Sequence, residues 1–154
     1  VVLELGIVAY PEPKRGLSIV EMANSRLVLI APPDHKLASR AKVKVSDLNG
    51  REFVVFERDV PTRKATDRIL KENGVEIAKV AEFDNIETIK RAVEVGFGLA
   101  IVPAPTVSGA SASGRLAVIE LAEDYWVRSV GVIYRSDRNL SLAAKKFVEL
   151  LEQN

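Results

Sequence analysis

The stretch DNIETIKRAVEVGFGLAIVP, residues 84–103, predicts a helix, a glycine turn and a buried strand in direct succession. Its first half carries apolar residues at helical spacing, at Ile86, Ile89 and Val93. Asp84-Asn85 followed by Glu87 resembles a capping box, so we expect the helix to begin there and to end at Gly96. The apolar run from Leu99 to Pro103 is then predicted to be a strand.

Helices and strands alternate on both sides of this stretch. Two more amphipathic helices are predicted, at Thr62–Asn73, which ends in the left-handed cap signal Asn73-Gly74, and from Ser141 onward. Short apolar runs predict strands at residues 1–10, 26–31, 52–56, 79–83, 116–121 and 127–135. This alternation predicts a mostly parallel sheet covered by helices. Residues 104–114, rich in Pro, Ser, Ala and Gly, are predicted to be a mobile surface connection.

The composition bounds the class of protein. A chain of 154 residues with 47% hydrophobic and 28% charged residues has the length of one domain or of two small lobes. Its 22 basic and 21 acidic residues nearly cancel, so we do not expect this part to bind DNA itself. The sequence has no cysteine, which fits a reducing cytosol, and no apolar run near the length that spans a bilayer. Because Val1 begins inside an apolar stretch, we expect a fragment of a longer protein.

The sequence offers no catalytic or metal site. His35, the single histidine, lies in a turn-rich segment where a surface role is expected. No second histidine or cysteine is present to build a zinc site. The turn Gly96-Phe97-Gly98 follows a helix and precedes a strand, the reverse of the dinucleotide-binding order. Glu123 and Asp124 are interpreted as solvated loop carboxylates, with acid–base chemistry as the alternative. Trp126 is interpreted as a core residue, with packing at a lobe edge or a subunit contact as the alternative. We therefore expect neither enzymatic activity nor a cofactor.

Four segments together resemble a known family. They are RLVLIAPPDHKLA at residues 26–38, VSDLNGREFVVF at 45–56, the stretch at 84–103 and YRSDR at 134–138 with the helix after it. Their order and spacing are similar to the regulatory domain of LysR-type transcriptional regulators. The resemblance covers essentially the whole chain, although no single motif is decisive.

The resemblance implies a two-lobed α/β fold like that of type II periplasmic binding proteins, with two crossover strands and an effector cleft between the lobes. Residues 1–27 and 104–154 would form lobe I and residues 28–103 lobe II. Family members also carry an N-terminal winged helix-turn-helix, and neither it nor the first part of lobe I is expected in this chain. The resemblance also implies a small, anionic effector and self-association as dimers or tetramers. DNA would be contacted only through the missing N-terminal domain. No membrane contact and a cytoplasmic location are expected.

Two other classes of function stay open at this point. A solute-binding protein of a transport system has the same fold, and it would carry a secretion signal and a complete first lobe. An enzyme built on this fold, such as a deaminase or dehydratase, would need a cluster of acid, base or nucleophile, and the sequence shows none.

The strongest ligand-binding candidates are Pro61, Thr62 and Arg63, where a predicted strand leads into a helix. Proline suits the first helical turn, and the amides of Thr62, Arg63 and Lys64 are expected to point outward, where free donors and the helix dipole favour an anion. Thr62 adds a hydroxyl and Arg63 a guanidinium. The alternative is an ordinary helix start with solvated charges.

Four further residues are weaker candidates. Ala9 and Tyr10 end an early strand and are expected to line the first-lobe wall, with core packing as the alternative. Val102 and Pro103 lie where the second crossover leaves the second lobe, and they are expected at the cleft floor. For Pro103 the alternative is that it only ends a strand.

Overall fold

The computed structural model describes residues 3–153 and has eight strands and three α-helices in that range. The strands are β1 (Gly6–Ala9), β2 (Leu17–Ala31), β3 (Lys42–Val43), β4 (Glu52–Phe56), β5 (Ala78–Phe83), β6 (Ala100–Pro103), β7 (Ala117–Leu121) and β8 (Val127–Arg135). The helices are α1 (Pro61–Glu72), α2 (Ile86–Glu94) and α3 (Leu142–Glu152). None of these helices is long and apolar enough to cross a membrane.

The chain divides into two compact units. One contains the residues up to Ser25 and those from Arg128 onward, and the other is Arg26–Val127. Strand β2 begins in the first unit and ends in the second, so a single strand supplies the sheets of both.

The first unit is built on β1, β8 and the first part of β2. Strand β1 pairs antiparallel with β8, from Gly6 opposite Ile133 to Ala9 opposite Val130. In the sheet order β8 lies next to β2. Helix α3 begins after the cap Ser141, whose hydroxyl oxygen accepts a hydrogen bond from the amide of Ala144.

The second unit has a mixed sheet covered on both faces. Strand β2 lies between β6 and β7 and is antiparallel to both, whereas β3 pairs parallel with β7 and β5 parallel with β4. A parallel bridge between Phe53 and Leu99 joins β4 to β6. The prediction of a mostly parallel sheet is therefore wrong for the pairings of β2, which runs antiparallel to both of its neighbours in this unit.

Alternate residues of the sheet face two separate hydrophobic clusters. The cluster on the α1 face includes Leu27, Leu29, Phe53, Val55, Ile69, Leu70, Ile101 and Trp126. The cluster on the α2 face includes Val28, Ile30, Val54, Phe56, Ile89, Val93, Ala100 and Val102. Near-continuous apolar runs such as residues 27–31 follow from burial on both faces.

Most predicted elements are present, and several details are corrected. Strands 52–56 and 127–135 have the predicted bounds, whereas β2 begins at Leu17 and not at residue 26. Of the strand predicted at 1–10, residues 6–9 are β1, while Val1 and Val2 lie outside the described residues. The helix cap is Asn85, whose side chain accepts from the amides of Glu87 and Thr88. Glu87 is thus the second helical residue, and the predicted capping box does not form.

The segment predicted to be a surface connection takes part in the core. Its first four residues, Ala104–Val107, form a 3-10 helix. The side chain of Val107 is buried in the cluster on the α2 face. The prediction that this segment has little to bury is therefore wrong at Val107, the one bulky aliphatic residue in it.

Candidate functional site

The start of α1 is an uncapped helix N-terminus. The N-cap residue is Val60, which has extended backbone and no side-chain acceptor, and the first turn contains no acidic residue. The carbonyl oxygen of Val60 accepts from the amides of Arg63 at 3.0 Å and Lys64 at 3.2 Å. The prediction of three outward amides is therefore wrong for Arg63 and Lys64. Among the described amides of this first turn, only that of Thr62 is left without an acceptor, since Pro61 has no N–H.

Two buried threonines follow one another along α1. Thr62 is 3% and Thr66 is 6% exposed, and their spacing of four residues places them on one face of the helix. No residue of the described part accepts from or donates to the Thr62 hydroxyl, and the buried Thr66 hydroxyl likewise has no partner there. Thr66 is not among the residues predicted from the sequence to bind a ligand. The pattern that indicates it is a polar residue one helical turn after Thr62, on the apolar face of the helix.

Arg63 is buried, and its guanidinium donates three hydrogen bonds within its unit. Its Nε donates to Asp67 Oδ2 at 2.8 Å, and its Nη1 donates to the carbonyl of Phe56 at 2.7 Å and to Glu82 Oε1 at 3.1 Å. These contacts join α1 to the ends of β4 and β5. Ligand contact by Arg63 stays a prediction, but the guanidinium already has a structural role.

Ala9 and Tyr10 lie at the end of β1 in the first unit. Ala9 is the last paired residue of the strand, opposite Val130. The Tyr10 amide donates to the carbonyl of Ser129 at 2.8 Å, and its backbone has a positive φ of 52°. Tyr10 is half-buried, with its phenol oxygen buried.

Val102 and Pro103 end β6 on opposite faces of the sheet. Val102 is completely buried in the cluster on the α2 face, opposite Val28 in β2. Pro103 is half-buried, pairs with Leu27 and lies on the same face as Ile101, against which α1 packs. The second unit thus contains α1 and Pro103 on one face of its sheet.

Metal-ligating side chains do not cluster in the described part of the chain. Residues 3–153 contain no group of three or more His, Asp or Glu side chains that could hold a metal ion. His35 caps the 3-10 helix Lys36–Ser39, with its Nδ1 accepting from the Leu37 amide at 3.0 Å. Partial burial, together with the charge of Arg51, lowers the pKa of His35 below its ordinary value.

Glu123 is not the solvated carboxylate that the sequence suggested. Its Oε1 accepts from the amide of Val45 at 2.8 Å, and its Oε2 accepts from Trp126 Nε1 at 3.0 Å. The guanidinium of Arg26 donates to three main-chain carbonyls of the same loop, at Leu121, Glu123 and Asp124. The loop before β8 is therefore fixed by side chains, and the expected core position of Trp126 is confirmed.

Comparison with known proteins decides the family. The family model described as LysR substrate binding domain matches residues 2–154. The chain belongs to the LysR family. It is 31% identical over 141 residues to the RuBisCO operon transcriptional regulator of Allochromatium vinosum, covering 90% of this chain and 47% of that protein. It is 30% identical to the regulator CbbR of Xanthobacter flavus, covering 97% and 46%. The LysR domain therefore spans about half the length of these relatives.

Solved structures of the family have the same fold. The CcmR regulatory domain of Synechocystis, in complex with 2-PG, superposes with a TM-score of 0.85 at 25% identity, over 97% of this chain and 72% of that one. The effector binding domain of QuiR, in complex with shikimate, gives 0.84 at 19% identity, over 97% and 70%. The predicted LysR membership and type II periplasmic-binding-protein-like fold are confirmed. The curated relatives are named as transcriptional regulators, which confirms that the domain is not an enzyme.

Proposed function

We propose that this domain is the effector sensor of a cytoplasmic LysR-type regulator of the RuBisCO-operon kind, and that it binds a small anionic metabolite. DNA binding would belong to an N-terminal helix-turn-helix elsewhere in the same protein. The two lobes would correspond to the two compact units, so the predicted boundary at residue 104 would move to residue 127, and residues 104–127 would belong to lobe II with residues 28–103. Self-association as a dimer or tetramer would carry the response to the DNA-binding parts.

The observation that supports an anionic ligand is the N-terminus of α1. The other two helices have acceptors at their starts: Asn85 caps α2, and Ser141, held by Glu4, caps α3. Helix α1 has neither a side-chain cap nor an acidic first-turn residue. It presents the amide and hydroxyl of Thr62, and the helix dipole adds partial positive charge there. A carboxylate or phosphate group is the natural complement of such a terminus.

The relatives support a more specific ligand class. Several curated relatives are RuBisCO operon regulators, and the CcmR domain, with a TM-score of 0.85, holds 2-PG. We therefore take 2-PG as the first effector to test, with shikimate, the ligand of QuiR, as the comparison. A ligand produces a response only through different affinities for two conformations of the protein, so binding would shift an equilibrium that exists without it.

The test is a thermal-shift titration of the complete regulatory domain with 2-PG, since a ligand that binds only the folded state raises the unfolding temperature. Thr62→Val removes the hydroxyl at nearly constant volume and is expected to weaken binding at least tenfold. Thr88→Val, at an exposed position in the capped first turn of α2, is the matched control and is expected to bind as the wild type does. Equal affinity of both variants for 2-PG would contradict the proposed site, and absence of any shift with 2-PG would contradict the ligand class.

A further inference from the structure

His35 caps the short 3-10 helix Lys36–Ser39 with a ring nitrogen. Its backbone is extended, with φ −66° and ψ 146°, and its Nδ1 accepts a hydrogen bond from the Leu37 amide at 3.0 Å. A ring nitrogen accepts a hydrogen bond only while it carries no proton, so the proton of the neutral imidazole lies on Nε2. When the ring gains a second proton, Nδ1 becomes a donor and the bond from Leu37 is lost.

The capped turn is anchored in the core of the second unit. The side chain of Leu37 is 1% exposed and belongs to the cluster on the α1 face. The His35 carbonyl accepts from the Ala38 amide at 2.9 Å, and the Leu37 carbonyl accepts from the Arg40 amide at 3.1 Å. In the described part of the chain, Nδ1 of His35 is the one acceptor for the Leu37 amide. Loss of the cap therefore leaves a main-chain donor without its partner next to a buried side chain.

The surroundings of the ring favour its neutral form. Partial burial lowers the pKa of His35 most, the positive charge of Arg51 lowers it further, and Lys36 adds a smaller effect in the same direction. The carboxylate of Asp34 opposes them. The pKa of His35 is therefore lower in the folded domain than the value of about 6.5 that an unfolded histidine has.

Other charged groups around this 3-10 helix are paired with one another. Strand β7 packs against the helix and has one charged residue, Glu120, whose Oε2 lies 3.9 Å from Lys42 Nζ. At the end of the helix, Arg40 Nη1 lies 3.1 Å from Asp47 Oδ2. Among the described carboxylates, Asp34 alone acts to hold a second proton on the ring.

We propose that His35 is a proton-sensitive cap, and that its protonation at mildly acidic pH opens the turn formed by residues 35–40. Asn85 and Ser141, which cap α2 and α3, use amide and hydroxyl oxygens that do not titrate there. Histidine is the side chain whose ordinary pKa lies between about pH 5 and 8, and His35 is the only histidine in this sequence. The device lies within the second unit and needs no ligand.

The direction of the effect follows from the lowered pKa of His35. Above about pH 6.5 the ring is neutral in both the folded and the unfolded state, and the cap stabilises the domain fully. As the pH falls below that value, the unfolded chain takes up the proton first, so the folded domain loses stability. This loss ends at the folded-state pKa of His35.

The test compares thermal unfolding of the complete regulatory domain, without ligand, at about pH 8 and about pH 5. His35→Asn keeps a side-chain acceptor that does not titrate, whereas His35→Ala removes the cap at every pH. We expect the unfolding temperature of the wild type to fall by about 2–4 °C more than that of His35→Asn between the two pH values. Any histidine elsewhere in the complete domain contributes equally to both proteins. We expect His35→Ala to unfold below the wild type at the higher pH.

Two results would overturn the proposal in these measurements. If the wild type and His35→Asn lose the same amount, protonation does not act through the cap. If His35→Ala unfolds together with the wild type at about pH 8, the cap does not stabilise the turn. Where neither variant folds, hydrogen exchange of the Leu37 amide in the wild type is the measurement. We expect its protection factor to fall about fivefold between the two pH values, and an unchanged factor overturns the proposal.

Discussion

Trp126 donates a hydrogen bond from its indole Nε1 to Glu123 Oε2 at 3.0 Å, within the loop before β8. The other carboxylate oxygen of Glu123 accepts from the amide of Val45, at the start of a 3-10 helix, at 2.8 Å. Trp126 is completely buried. Both oxygens of Glu123 are therefore used to join two segments that are far apart in the sequence.

Replacing Glu123 with alanine is expected to destabilise the domain by about 2–3 kcal/mol, because two buried donors lose a charged acceptor. Urea unfolding followed by the fluorescence of Trp126, the only tryptophan, measures this loss. Asp124→Ala is the control, since that exposed side chain makes no hydrogen bond to any described residue. Equal stability of the two variants would show that the carboxylate of Glu123 is dispensable.

Arg63→Met is expected to lower the unfolding free energy by about 2–3 kcal/mol. The buried carbonyl of Phe56 loses its donor, and Glu82 and Asp67 lose a cation; because both carboxylates are partly exposed, water offsets some of their loss. Arg68→Met, on the exposed face of the same helix, is expected to change stability by less than about 0.5 kcal/mol. Chemical unfolding of both variants without ligand is the measurement. A stable Arg63→Met domain with weakened 2-PG binding would instead assign Arg63 to the ligand.

The sequence predicts the elements of this fold better than their contacts. Strand β4 and strand β8 have their predicted bounds because apolar runs between turn residues determine strands locally. The first part of β2 was missed because residues 21–24 are all exposed and carry no alternation. The direction of β2 and the role of Glu123 depend on residues distant in sequence, such as Val45. The start of α1 was predicted from the sequence. The hydrogen bonds that the Val60 carbonyl accepts from Arg63 and Lys64 were not, because they depend on the backbone conformation of residues 57–60.

Gly98→Ala is expected to destabilise the domain by about 2 kcal/mol through overpacking. A Cβ at this position would lie 2.8 Å from the carbonyl oxygen of Glu52, which accepts the Leu99 amide at 2.9 Å and so joins β4 to β6. Gly6→Ala is the matched control, because its Cβ would meet only side-chain atoms of Ile133, at 3.4 Å or more. Thermal unfolding of both variants should show a clearly lower midpoint for Gly98→Ala alone. A similar midpoint for the two would mean that the backbone near Glu52 yields easily.

The stability of the domain in acid is expected to depend on Glu4. Its carboxylate accepts from the amide of Ser141 at 2.7 Å and from the Ser141 hydroxyl at 2.8 Å, and these bonds lower the pKa of Glu4 below its ordinary value. Because the pKa of Glu4 is lower in the folded state, its ionised carboxylate stabilises the folded domain above the unfolded-state pKa of about 4.3. This stabilisation is lost as the pH falls through the folded-state pKa. Glu4→Gln should therefore be less stable than the wild type at pH 7, and the difference should shrink toward pH 3. Glu12→Gln, in an exposed loop, is the control in unfolding measurements across this range, and a constant difference for Glu4→Gln at every pH would refute the assignment.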